Sequence, residues 1–408
     1  MNIPIKLALW IFDPIFWDMK LYPTVLFFLL LISCEEKPVE VRLPVANVFP
    51  DFNYILDTVF IDAGEDQVYL DMELSMSDFS VNEGLLYNLK PENGRVEIIN
   101  LNTLKLDSVI HFDVRGPNSV KQYFPFGLKK TLFGDTFFKE YRVLHKLNSE
   151  GVKVDSYELI NRKLTGDRLP FDTEIDGLGE ISTDGSYMAS FYGNFKIGGS
   201  VLGIAKVNLL DKSLKLIPVD FWEQLSKYTV TVDYDIARRN SSPELKFLLL
   251  NGPDIILSTS ASNELWYYDS ESDSVFHKSF HSGITADKKS GKYREDITDQ
   301  RLYMYWVKRK NDEVVFGPLV KDHQAQRFYR YSRELDSSDP QRPKCVYVLT
   351  VFDEKLDQIH EQKLENSIPI MGKYFEGKTF VHKGSIYSFL KHPTELAFIR
   401  LKPDFGKE

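Results

Sequence analysis

The sequence predicts an all-β protein, a six-bladed β-propeller preceded by a short export segment. Three observations carry that expectation. Beyond residue 50, short runs rich in Val, Ile, Tyr, Phe and Thr alternate with Asn, Asp, Gly, Ser and Pro, the pattern of strands and tight turns. A unit of apolar strand, polar turn and second strand recurs six times, as repeat architectures require. Helical periodicity is nearly absent, with "DFWEQLSKY" (220–228) the best short-helix candidate.

The chain begins with an address. From Met19 it reads Met-Lys, an apolar stretch to Ile32, then Ser33 and Cys34: a positive start, an apolar centre and a small residue before a cut, the parts of a secretory signal. The apolar run is about a dozen residues, short of the ~20 that span a bilayer. Asp13 and Asp18 interrupt the apolar character of the upstream residues, and the simplest reading expects the true start at Met19. Residues 1–33 are therefore read as signal peptide and 34–48 as a charged, Pro-containing tether. Residues 49–408 are read as the propeller. "LISC" (31–34) resembles a bacterial lipobox, whose cysteine thiol takes a diacylglycerol, so Cys34 is the expected lipidation site. Acyl chains anchor by about 0.8 kcal/mol per buried CH₂, which implies a domain held at the outer membrane, facing the periplasm or the cell surface. Glu35 and Glu36 resemble the acidic surface-export signal of such lipoproteins, with a solvated start to the linker as the alternative reading. With Cys34 acylated, Cys345 has no partner in the chain and is read as a small apolar side chain.

The repeats follow in order. Hairpins at 96–112, 141–159, 203–219, 264–280, 345–364 and 386–401 are assigned to the outer two strands of successive blades, with Asn, Asp, Ser or Pro at each turn. Inner strands are expected at "ISTDGSYMASFYG" (181–193), where Gly185 is free to adopt positive φ. They are also expected at 314–335, with one strand ending near Asp322 and an aromatic one starting near Arg327. The longest insertion is 283–311. A strand between Phe49 and Asp71 is expected to pair with the last strand, around Phe398 to Leu401, because closure hides an open edge. A large sandwich with a second β domain is the rival architecture.

Chemistry is harder to find. The net charge of −9 excludes a phosphate-tracking nucleic-acid surface. No HExxH, Gly-rich phosphate loop, paired CxxC or Gly-x-Ser-x-Gly occurs. His277 and His281 are four apart, but on a strand that spacing covers roughly 13 Å. Asp62, Glu65 and Asp66 share one acidic turn without EF-hand spacing. Neither a metal nor a cofactor is assigned. Recognition is expected in two aromatic and polar stretches, "RGPNSVKQYFPFG" (115–127) and the long insertion. These supply Arg115, Asn118, Tyr123, Tyr293, Arg294 and Trp306 as candidate ligand-facing residues. The competing reading packs these aromatics between blades.

The lipobox, the loose blades, "GPNSV" (116–120) and the "FGPLVKD…RFYRYSREL" blade together resemble a Bacteroidota lipoprotein family. That family is known only as a domain of unknown function and is similar to six-bladed propellers. The resemblance covers the chain from about residue 19 onward and implies fold and location, with no catalytic residue. The sequence is thus read as a lipid-anchored envelope binding or scaffold protein for a glycan, peptide or envelope protein. A hydrolase or lyase with its site in the channel is the alternative, and a purely structural envelope component the third.

Overall fold

Six successive sheets are arranged around one axis in the computed structural model, which describes residues 41–42, 52–120, 127–196, 199–220, 225–235, 238–336, 338, 344–365 and 377–405. The signal segment, Cys34 and most of the 34–48 tether lie outside the described residues. Val41–Arg42 is the exception, pairing in parallel with Lys278 and Ser279.

Blade 1 runs Asp78–Ser80, Leu85–Lys90, Arg95–Asn100, Lys105–His111, and blade 2 Gly127–Lys130, Thr136–Lys139, Val143–Leu147, Lys153–Glu158. In blade 3, Tyr187–Gly193, Val201–Asn208 and Ser213–Pro218 are joined at the inner edge by Glu174–Ile175 and Glu180–Ile181. Blade 4 is Lys246–Asn251, Asp254–Thr259, Glu264–Asp269, Ser274–Ser279, and blade 5 Val315–Asp322, Arg327–Asp336, Lys344–Phe352, Gln358–Leu364. Blade 6 takes Thr379–His382, Ser385–Leu390 and Ala397–Asp404 from the C-terminal end and Asn53–Phe60 from the other. The first strands of neighbouring blades pack side by side, which makes them the inner ring.

Ring closure follows from the pairing of Asn53 with Asp404 through Phe60 with Ala397, as the sequence reading expected. It corrects one assignment. The 386–401 hairpin forms the second and third strands of its blade, because Asn53–Phe60 takes the outermost place. The other five hairpins are the third and fourth strands of their blades, with the two-residue strands Thr165–Gly166 and Val41–Arg42 added in parallel outside those of blades 3 and 4. Their turns share a mechanism: a carboxamide or carboxylate at Asn100, Asn148, Asn208, Asp269 or Asp353 accepts backbone N–H bonds two residues on. A left-handed residue (Leu104, Gly151, Lys212, Asp273 or Leu356) then closes each turn, the conformation that Asx-type turns support.

The core is divided among the blade interfaces. Six buried clusters join blades 1–2, 2–3, 3–4, 4–5, 5–6 and 6–1. The last unites Val59, Leu86 and Ile99 with Phe380, Tyr387 and Phe398. Each sheet is thus covered on both faces, which accounts for near-continuous apolar strands such as Ser385–Leu390.

Two further elements differ from the sequence reading. The insertion contains a helix, α1 (Gln300–Asp312), with Asp299 as N-cap accepting from Leu302 N. Its Tyr303, with Trp306 and Val307, packs on Val230 and Val232 of the hairpin Val230–Asp235/Arg238–Ser242. In the 220–228 segment Leu225 and Ser226 are helical, while 221–224 lie outside the described residues.

Candidate functional site

Strands within a blade alternate in direction, so turns between first and second strands emerge on one face of the ring. Connections from a fourth strand to the next blade emerge on the other. Three first turns on the former face, from blades 5, 6 and 1, enclose a cavity of about 180 Å³. Its lining is Val81, Asn82, Glu83, Gly84 and Asn102 of blade 1, Asp322, His323 and Gln324 of blade 5, and Val381, His382 and Lys383 of blade 6.

Local chemistry fixes each turn. In blade 6, His382 pairs with Ser385 across Lys383 and Gly384. Both central residues have positive φ, 50° and 69°, as a two-residue type I′ hairpin requires. In blade 5, Asp322 is 3% exposed. Its Oδ1 accepts from Gln324 N at 2.9 Å and Ala325 N at 3.2 Å, which holds the His323 turn in place. In blade 1, Gly84 donates to Ser80 O at 2.9 Å and has φ +68°. A Cβ there would stand 2.7 Å from Asn102 Nδ2 and 2.8 Å from His382 Cε1. Glycine therefore leaves the space that the two polar side chains occupy.

The lining groups are polar and held in place. His382 Nε2 lies 3.2 Å from Asn102 Oδ1. The imidazole also packs edge-on against Phe79, with ring centroids 5.7 Å apart. Tyr87 Oη donates to Glu83 Oε2 at 3.0 Å. Burial lowers the His382 pKa below the ordinary imidazole value, and Lys383 adds to the effect. Burial likewise lowers His323, assisted by Lys321 and, from the inner strand of blade 2, Lys129. Both rings are thus neutral at pH 7 and each offers one donor and one acceptor. Together with the amides of Asn82, Asn102 and Gln324 and the carboxylates of Glu83 and Asp322, the lining can exchange hydrogen bonds with hydroxyl and amide groups.

Deeper among the inner strands lies a second set of charges. Lys129 Nζ bonds Asp78 Oδ1 at 3.0 Å, Lys378 donates to Ser77 O at 2.9 Å, and Lys139 donates to Gly179 O at 3.0 Å. These ammonium groups belong to blades 2 and 6. Among the described residues, no group of three or more His, Cys, Asp or Glu gathers as metal ligands.

The described candidate residues singled out from sequence occupy the other face. Arg115 is exposed and Asn118 half-buried in the connection from blade 1 to blade 2, while Tyr123 lies outside the described residues. Tyr293, Arg294 and Trp306 belong to the connection from blade 4 to blade 5. Tyr293 donates to Glu313 Oε2 at 3.0 Å. Tyr293 and Trp306 pack together on the Val230 hairpin, and Arg294 is exposed. His277 stacks on Trp266, with ring centroids 4.8 Å apart, and His281 bonds Asp287 at 2.8 Å. Asp62 Oδ1 caps Gly64 N at 3.0 Å and Asp66 lies 3.8 Å from Arg95. Cys345 is half-buried and in no disulfide.

A signal for the cavity did exist. Val81-Asn82-Glu83-Gly84 and Val381-His382-Lys383-Gly384 share a Val-x-x-Gly pattern at the first turns of adjoining blades.

Comparison with known proteins gives the chain a family. A solved member of the DUF4221 family from Bacteroides vulgatus is 13% identical and covers 87% of this chain and 99% of its own, with a TM-score of 0.56. A putative exported protein from Bacteroides fragilis is 9% identical over 89% of this chain and 99% of its own, with a TM-score of 0.45. No curated protein sequence matches the chain. The family model described as a domain of unknown function, DUF4221, matches residues 51–363, which takes in most of the ring, and the chain belongs to that family.

Proposed function

We propose that this protein is a lipid-anchored, non-catalytic binding protein of the cell envelope that takes a glycan in the cavity between blades 5, 6 and 1. The observation that carries the reading is the lining itself. Four turns from three blades, the fourth carrying Asn102, bring two neutral imidazoles, three carboxamides and two carboxylates to one concave site. Such a set suits hydroxyl-rich ligands, whose groups both donate and accept. Acylation at Cys34 would hold this ring at the outer membrane. The test has two arms. Detergent-phase partitioning and mass measurement should find a diacylated Cys34, and a glycan array probed with the purified protein should return a ligand. A bare thiol overturns the anchor, and an array without a hit overturns the glycan reading.

A second reading, a hydrolase or lyase, is favoured by the meeting of Glu83, Asp322, His323 and His382 in the same cavity, since acid–base catalysis needs such groups. Asp322 is, however, committed to its own turn and His382 to Asn102. Release of reducing ends or unsaturated products from an array-positive polysaccharide would establish this reading.

A further inference from the structure

A second cavity, of about 690 Å³, lies at the junction of blades 6 and 1. That volume falls within the roughly 300–1,000 Å³ of small-molecule sites. One wall is the chain that leads from Asn53–Phe60 into blade 1, and the other is the turn between Ser385–Leu390 and Ala397–Asp404. By connectivity the cavity therefore opens on the face opposite the first.

The first wall is held in a costly conformation. Met72, Glu73 and Leu74 have φ of 60°, 52° and 63°, three successive left-handed residues of which none is glycine. Two backbone bonds fix this turn: Ser75 N donates to Met72 O at 2.9 Å, and Lys378 N donates to Glu73 O at 3.0 Å. The turn buries Leu74 and leaves Met72 and Asp71 exposed. Strain of this kind persists only where the surrounding structure imposes it, and it collects at ligand sites.

The charges are divided between the walls. Asp71 and Glu73 stand on the first and Lys391 on the second. Among the described residues, none of these three side chains makes a hydrogen bond or an ion pair, so no pair of opposite charges closes the cavity. The His392 ring on the second wall is oriented by its neighbours. Its Nδ1 accepts from Glu395 N at 3.2 Å, and Phe60 packs edge-on with ring centroids 5.5 Å apart. Nε2 is thereby left as the donor. Leu70, Phe389 and Pro393 supply apolar lining.

We propose that this cavity binds a short peptide with free termini and apolar side chains. Asp71 and Glu73 receive its ammonium terminus, Lys391 its carboxylate, and Leu70, Phe389 and Pro393 its side chains. A free amino acid carries both charges on one carbon, whereas a tripeptide separates them by roughly 10 Å. Separation suits a site whose opposite charges stand on different walls without pairing. The site is independent of the glycan reading, because the two cavities share no residue.

The experiment is a calorimetric titration of the full chain with trileucine, its N-acetyl derivative, its C-terminal amide and free leucine. Trileucine should bind saturably, and each of the other three at least tenfold more weakly. Lys391→Met should weaken trileucine at least tenfold and bind the free acid and the amide alike. The double variant Asp71→Asn, Glu73→Gln should likewise lose the distinction between the free amine and its acetyl derivative. None of the three positions is buried, and circular dichroism checks that both variants stay folded. The proposal is overturned if trileucine does not bind, or if a blocked peptide or free leucine binds as tightly. It is also overturned if Lys391→Met still prefers the acid to the amide.

Discussion

Replacing Lys289 with methionine should make this protein more stable at neutral pH, although it removes a charged side chain that is hydrogen-bonded. The amine falls from 10.5 to about 8 on folding, and each unit corresponds to about 1.36 kcal/mol. The drop of about 2.5 units is worth roughly 3 kcal/mol. The sign is set by linkage. Between pH 8 and 10.5 the unfolded chain holds this proton more tightly than the folded one, so wild-type stability gains from deprotonation as pH rises. Below pH 8 the folded protein bears the full penalty. Methionine removes it and gives up the bond to Lys310 O, a loss of about 1 kcal/mol. The net prediction is about 2 kcal/mol of added stability at pH 7, with the variant's advantage shrinking and then reversing toward pH 10. Urea unfolding of both proteins at pH 7, 8.5 and 10 in chloride buffer reads this difference directly. A variant that is less stable by the same amount at every pH would refute the reasoning.

Other expectations follow from the ring and its first cavity. Phe398→Ala, at a fully buried position between blades 6 and 1, should cost about 3–5 kcal/mol, measured by urea unfolding; a loss below 1 kcal/mol would speak against closure there. Gly84→Ala combines a positive-φ penalty of roughly 1–2 kcal/mol with a side-chain collision at Asn102 and His382. It should lower the melting temperature and block ligand entry, and wild-type behaviour in both assays would contradict the geometry. The lowered pKa values of His323 and His382 mean that the unfolded chain takes up these protons first as pH falls. Both groups should therefore subtract stability as pH drops below about 6.5. Imidazole proton resonances titrating above pH 6.5 would show the opposite.

The elements that could be read from sequence were those governed by local chemistry. The Asn or Asp that ends each third strand, at 100, 148, 208, 269 and 353, announces its turn because the side chain itself makes the bond. Ser-x-Asp-Gly at 182–185 is of the same kind: Ser182 Oγ donates to Asp184 Oδ1 at 2.5 Å, and Gly185 has φ +72°. What escaped depended on partners far along the chain. The 386–401 hairpin has the local look of an outer pair, and only Asn53–Phe60, arriving from the other end, moves it inward. Helix α1 was hidden by Tyr303, Tyr305, Trp306 and Val307, residue types that favour strands. Its cap Asp299 and last-turn Arg309 and Lys310 were its visible marks. The first cavity was the least legible feature. Its three first turns lie at 81–84, 322–324 and 381–383, each unremarkable alone, and they meet only because the ring closes between blades 6 and 1.

The central claim is that a ligand is held by the turns of blades 5, 6 and 1. It is tested most directly by calorimetric titration of the strongest array ligand into wild type and into His382→Ala and Gln324→Ala variants. Saturable binding by wild type, weakened at least tenfold in both variants (roughly 1.4 kcal/mol each), is the predicted result. Equal affinity in all three proteins would contradict the claim and move the site elsewhere on the ring.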